Sequence, residues 1–259
     1  MESLLKEKVV LISGAGRGIG AAAARLFAAA GARVVLTARS TAEIEAVAAQ
    51  ITADGGKALA ITADIACPEA LRDLVGQTRR RFGPVEILIN NAGVITTGLF
   101  WESDPVEVRR LFDINVLGTY ELTRLVLPEM LAAGRGRILN VSSGLAGRDL
   151  TGTSAYNASK AALERLMSTL ATELEGKNIT VGILRPGKVD TRMQEALRNS
   201  PAQRFPGRDT FAGFYQSGAL LAPEIPARAL LYMAGEGFSC QPGEVFRADD
   251  PDFQNRWSF

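Results

Sequence analysis

The sequence predicts an α/β fold: a doubly wound parallel sheet of about seven strands with helices on both faces. Three observations carry this expectation. Short runs rich in valine, isoleucine and leucine alternate with helical patterns along the chain, these runs are apolar throughout, and a glycine-rich turn follows the first of them. A strand covered on both faces needs apolar residues on both, which is the habit of parallel sheets.

Residues 9–12, 34–37, 58–62, 87–90, 137–141, 179–184 and 244–248 read as strands. Between them Ile44, Val47, Ala48 and Ile51 share one helical face, and Pro68 opens a helix carrying Leu71, Leu74 and Val75. Proline suits a first turn because the N–H it lacks would be unpaired there. Asp104 before Pro105 makes an N-cap followed by a first helical position. Longer amphipathic helices are expected around 107–131 and 155–174. Right-handed crossovers place a ligand crevice at the carboxyl ends of the strands. Residues 190–223 show no strong pattern and hold Pro201, Pro206, Gly207, Gly213 and Gly218, so a partly helical, mobile loop over the crevice is expected there.

Composition narrows the function. With 47% hydrophobic and 22% charged residues and a net charge of +1, the chain reads as a soluble globular protein with no bulk charge to draw it to nucleic acid or a membrane. Arg79, Arg80 and Arg81 read as the solvated end of a helix. Cys67 and Cys240 lie far apart and match no metal-ligand spacing, so reduced thiols are expected. There is no histidine, which excludes a Ser-His-Asp hydrolase and a histidine-ligated zinc; no metal site is expected. No signal peptide is visible, and the alanine-rich stretch near Ala21 is interrupted by Arg25, so a cytoplasmic location is expected.

After the first strand comes Ser13-Gly14-Ala15-Gly16-Arg17-Gly18-Ile19-Gly20. A glycine-rich turn between strand and helix lets the backbone approach a pyrophosphate and aims the helix N-terminus at its charge, as in a Rossmann-type fold. The end of the second strand, where an acidic residue would hold a ribose 2′-hydroxyl, carries Ala38 and then Arg39. Arg39 and Arg17 together would clamp a 2′-phosphate, so NADP(H) is the predicted cofactor; solvated arginines are the plainer alternative.

Tyr156 and Lys160 stand four residues apart, with Ser143 upstream. On a helix the two project from one face, and an ammonium beside a phenol would lower its pKa and make it a usable acid. A tyrosine and a lysine at this spacing also form ordinary surface contacts. Together with the glycine turn, however, the Tyr-x-x-x-Lys pair and its serine resemble the short-chain dehydrogenase/reductase family along nearly the whole chain.

The resemblance implies a set of roles. Gly14, Arg17, Gly18, Ile19 and Gly20 would bind the dinucleotide, and Asp64-Ile65 would flank its adenine. Asn90-Asn91-Ala92-Gly93 matches an element beside the cofactor, and Pro186-Gly187-Lys188-Val189-Asp190-Thr191 a segment whose Val189 and Thr191 would contact the nicotinamide carboxamide. Tyr156 would be the general acid, Ser143 the holder of the carbonyl oxygen with Ser142 a weaker candidate, and Lys160 the group that tunes the phenol and binds the ribose. Asn115 would hold a water for proton relay. Residues 1–259 read as a single dinucleotide-binding and catalytic domain, with 190–223 as substrate-binding loop and 249–259 as a C-terminal tail.

Asp190 to Gln194 and Gly218 to Glu224 resemble the corresponding loop of sepiapterin and benzil reductases, so a small aromatic ketone or diketone is the expected substrate, reduced reversibly. Phe205, Phe211, Phe214 and Tyr215 either line an aromatic pocket or pack the loop. A 3-oxoacyl thioester reductase and a non-catalytic NADP(H)-sensing protein are the rival readings; for the former, Arg198, Arg204 and Arg208 are only a scattered basic surface. A homodimer or homotetramer is implied, although the family's usual C-terminal glycine pair is absent. The aromatic tail ending Trp257-Ser258-Phe259 would pack on its own subunit or a neighbour's.

Overall fold

The computed structural model describes residues 4–257, so Ser258 and Phe259 of the expected tail lie outside the described residues. In chain order the elements are β1 (Val9–Ser13), α1 (Gly18–Ala29), β2 (Arg33–Ala38), α2 (Thr41–Ala53), β3 (Lys57–Thr62), α3 (Pro68–Phe82), β4 (Ile87–Asn90), α4 (Pro105–Phe112), α5 (Gly118–Ala133), β5 (Gly136–Val141), α6 (Ser154–Glu173), β6 (Ile179–Arg185), α7 (Arg192–Arg198), α8 (Arg208–Gln216), α9 (Glu224–Ala234), β7 (Val245–Arg247) and α10 (Pro251–Gln254). All seven strands run parallel in the order β3-β2-β1-β4-β5-β6-β7.

The order reverses at β1, which pairs with β2 on one side and β4 on the other. Crossovers leave that point in opposite directions, so the helices part and a crevice opens at the carboxyl ends of the strands. One face of the sheet packs on Phe27, Ile44 and Leu230 from α1, α2 and α9. The other packs on Leu71, Leu122 and Leu163 from α3, α5 and α6. Strands covered on both sides explain the unbroken apolar runs.

The N-cap expected at Asp104 is present: its side chain accepts from the Val106 amide. The long helix expected over 107–131 differs. A π-turn at Asp113–Leu117 separates α4 from α5. Its cause is Asn115, whose buried side chain is drawn toward Val94, accepting from the Val94 amide at 2.9 Å and donating to its carbonyl at 2.9 Å. Satisfying that backbone outweighs the regular helical ladder.

The tail packs on its own subunit. Phe253 stacks 4.9 Å from Phe246 and 6.3 Å from Trp257, which closes the core beneath α9. The segment 190–223 is partly helical, holding α7 and α8.

Candidate active site

The turns leaving β1, β4, β5 and β6 enclose a cleft of about 950 Å³. Its floor is the glycine turn. Gly14 and Gly18 have φ of 65° and 53°, which residues with a Cβ seldom adopt. A Cβ on Gly20 would lie 2.3 Å from the Gly14 carbonyl oxygen, so α1 closes on β1 only with glycine there. No side chain caps the amides of the first turn of α1, which start beside Ile19 at the cleft. Such an end receives an anion.

Ser13, where the resembled family more often has threonine, stitches this floor to β4. Its hydroxyl accepts from the Asn91 and Ala92 amides at 3.1 and 3.0 Å, while Asn91 Nδ2 donates to the Ser13 and Gly14 carbonyls. Gly93 follows, and a Cβ on it would lie 3.4 Å from both Asn115 Oδ1 and Lys160 Nζ. Asp64 accepts from the Ala66 amide and from Arg110. Partial burial would raise its carboxyl, but Ala66, Arg110 and Arg39 outweigh burial and hold it below the usual value. Ile65 carries its carbonyl against Gly118, where a Cβ would approach to 2.5 Å.

Arg17 and Arg39 both line the cleft, yet the pair of free guanidinium groups expected from the sequence is not what the fold presents. Arg17 pairs with Glu43 at 3.3 Å, and the same carboxylate oxygen holds Arg192 at 2.9 Å. Sequence reasoning missed Glu43; an acidic residue in the first turn of α2, one crossover after the glycine turn, was the available signal.

On the opposite wall, Gly187 turns with φ of 80°, Val189 pairs with Leu221, and Thr191 caps α7 by accepting from the Gln194 amide. Thr191 lies over the glycine turn, its methyl 3.2 Å from where a Cβ on Gly18 would stand. Pro186 starts this wall directly after β6.

Tyr156 and Lys160 are buried on α6, together with Ser143 at the cleft. Lys160 Nζ donates to the Val141 carbonyl at 2.9 Å. The Tyr156 hydroxyl points at Met193 Sδ, 3.8 Å away. Ser143 Oγ accepts from the Leu145 amide at 3.1 Å, capping the short turn Gly144–Gly147. The Ser142 hydroxyl is committed elsewhere, donating to Glu164 at 2.6 Å, which removes it as a holder of the carbonyl oxygen.

The expected acidification of Tyr156 by Lys160 is corrected. Burial pushes the phenol above its ordinary value, and the neighbouring Ser143 hydroxyl offsets only part of this. Burial also pulls the Lys160 ammonium down to about 8, against the opposing pull of Glu164. A phenolate loses more solvation in this pocket than its surroundings return. The phenol is therefore protonated near neutral pH, the state a proton donor needs. Asn115 holds its side chain on Val94 and on Ser159 Oγ at 3.0 Å, which fixes the wall behind Lys160.

In the loop, Phe211 and Phe214 line the cleft. Phe205 is fully buried, 5.3 Å from Phe211, and packs the loop down, while Tyr215 is exposed beneath Arg198.

Residues 8–202 match the family model for short chain dehydrogenase, and the chain belongs to that family. It is 34% identical over 242 residues to the 3-oxoacyl-[acyl-carrier-protein] reductase of Synechocystis sp., covering 93% of this chain and 98% of that protein. The ketoacyl reductase HetN of Nostoc sp. is 38% identical over 185 residues, a match spanning 71% of this chain and 64% of the relative. Among solved structures, a metagenomic short-chain oxidoreductase in complex with NADP superposes with a TM-score of 0.77 at 32% identity, covering 95% of this chain and 99% of the other. The chain is thus an oxidoreductase of the short-chain dehydrogenase family, and no described helix is long and apolar enough to cross a membrane.

Proposed function

We propose that this oxidoreductase reduces a ketone or aldehyde to an alcohol with NADP(H), reversibly. The observation that carries the reading is the convergence of Ser143, Tyr156 and Lys160 on the cleft that the glycine turn floors.

The cleft fits a dinucleotide. The turn excludes side chains at Gly14, Gly18 and Gly20, and Thr37 Oγ1 and Gln194 Oε1 are buried at the cleft without partners, as groups awaiting a polar ligand are. The α1 amides with Gly14, Gly18, Ile19 and Gly20 would hold the pyrophosphate, Asp64 and Ile65 the adenine end, and Asn91, Ala92 and Gly93 the middle. Pro186, Gly187, Val189 and Thr191 would hold the nicotinamide end, and Lys160 with Tyr156 its ribose. Arg39, and Arg17 once released from Glu43, would receive a 2′-phosphate. When bound, the reduced nicotinamide supplies hydride to the carbonyl carbon.

The chain's own residues do the rest. Tyr156 donates its proton to the carbonyl oxygen and Ser143 steadies that oxygen as its charge develops. The Lys160 charge then favours the phenolate left behind. Residues 190–223 close over the substrate with Phe211 and Phe214, which suits an aromatic ketone or diketone. We read the chain as one domain, acting as a homodimer or homotetramer whose contact is α5 and the turn before it, where Leu117, Tyr120 and Leu131 are exposed.

A second substrate, a 3-oxoacyl thioester, is favoured by the names of the relatives from Synechocystis and Nostoc. Against it, Arg198, Arg204 and Arg208 are each paired with an acidic neighbour, leaving them little charge for an acidic carrier. NADPH oxidation with a ketone panel separates the readings: diketone turnover supports the first, acetoacetyl thioester turnover the second, and binding of NADPH without turnover overturns both. The cofactor assignment fails if Arg39→Asp leaves the NADPH to NADH preference unchanged.

A further inference from the structure

Behind Lys160 lies a charged cluster that the proton donor does not use. Glu164 stands one turn further along α6. Arg185, the last residue of β6, grips it with two bonds of 2.8 Å, Nε to Oε1 and a terminal nitrogen to Oε2. Ser142, just past β5, donates to the same Oε1 at 2.6 Å. The carboxylate side chain is only 14% exposed and the guanidinium 25%. Three elements thus meet on one carboxylate at the base of the reacting groups.

Both partners of Glu164 are one residue from a group at the cleft. Ser142 lies between Val141, whose carbonyl seats the Lys160 ammonium, and Ser143. Arg185 precedes Pro186, and it also backs Gly147, where a Cβ would stand 3.1 Å from its guanidinium, so the turn that Ser143 caps rests on it. A fork-to-fork ion pair with a third, neutral donor fixes direction as well as distance.

We infer that Glu164, shared between Arg185 and Ser142, is a positioning residue that sets both the seat and the protonation of Lys160. This inference rests on the oxidoreductase reading above. The groups facing Lys160 from the elements packed on α6 are the Val141 carbonyl at the end of β5 and Asn115 of the π-turn across Gly93, while Ser142 and Arg185 of β6 reach it through Glu164. The charged side chains here are Glu164, which acts on the ammonium, and Arg185, which acts on Glu164, so their effects on Lys160 have opposite signs. Glu164 favours the charged lysine; Arg185 opposes it by drawing on the same carboxylate. A brace of packing alone has no such sign.

That opposition is the test. In cofactor-free protein, the titration midpoint of Lys160 is followed by lysine ¹³Cε NMR, with Lys160→Met used to assign the resonance. Glu164→Gln is expected to move the midpoint down by about one unit and Arg185→Gln to move it up, both from loss of one neighbouring charge. Glu164→Asp should return it toward wild type. The double variant Glu164→Gln/Arg185→Gln leaves neither member of the ion pair charged without the other, so it guards against a single variant that does not fold; its midpoint should fall below that of Arg185→Gln alone. In steady-state carbonyl reduction, the alkaline limb of kcat/KM should move in the same directions. Shifts of one sign for both single variants, or an equal loss of rate at every pH with the NMR midpoint unmoved, overturn the inference. The expected NMR shifts in the variants, with wild-type protein that reduces no carbonyl, overturn the functional reading and leave this one standing.

Discussion

The two walls of the cleft are built to different standards. The wall at β5 and α6 is tied by buried bonds: Lys160 to Val141, Asn115 to Val94 and Ser159, Glu164 to Arg185 and Ser142. The facing wall, residues 190–223, rests on an aromatic run and on ion pairs open to solvent, such as Arg192 to Glu43 and Arg204 to Glu107. Exposed pairs contribute about 0–1 kcal/mol each, whereas a buried partner left unsatisfied costs about 1–3 kcal/mol. Tyr156, the proposed proton donor, thus sits on the more tightly bonded wall, and the segment proposed to select the substrate forms the more loosely held one. Met193, set against the Tyr156 hydroxyl from the softer side, marks where they meet.

The comparison breaks most visibly at Tyr156. Tyr156→Phe should reduce turnover by about 10²- to 10⁴-fold while NADPH still binds, as steady-state kinetics and a binding titration will show. A loss under threefold would remove it from the reaction.

Lys160→Met sharpens the contrast through stability. The ammonium titrates at about 8 in the folded protein against an ordinary 10.5. Between these values the unfolded chain holds more protons, so stability rises with pH there, and burying the charge is a cost in full only below about pH 8. Lys160→Met should therefore abolish activity yet raise the Tm of the cofactor-free protein at pH 7, with a stability gain of up to ~3 kcal/mol less what the lost bond to Val141 subtracts. The gain should shrink toward pH 10, checked by calorimetry. A lower Tm at pH 7 would mean the lysine stabilises its own site.

On the softer wall the effects should be smaller and fall on substrate binding. Phe214→Ala, which removes a ring at the cleft held under Lys188, should raise KM about tenfold with kcat little changed. Tyr215→Ala, at an exposed site, should change stability by no more than about 0.5 kcal/mol and leave KM as it was. A kcat effect from either would mean that the two walls are not separable.

Much was legible without a structure. All seven strands fall where the apolar runs place them, within a residue or so at their ends, and the proline after Asp104 opens its helix. The glycine turn and the Tyr156–Lys160 pair reach one cleft because each is a local pattern whose geometry a strand-turn-helix or a helical turn dictates. The failures are of another kind. The π-turn at Asp113–Leu117 depends on Val94, and the pairing of Arg17 depends on Glu43.

The order of elements, the crevice and the pattern that brings Ser143, Tyr156 and Lys160 to it were determined by the sequence itself, since backbone preference and the spacing of apolar side chains act over a few residues. Only the tertiary structure decided the charge states at the cleft: a raised phenol, a lowered ammonium, and a carboxylate divided between Arg185 and Ser142. Those follow from how much water each group loses and which distant partner replaces it, and neither quantity is written in neighbouring residues.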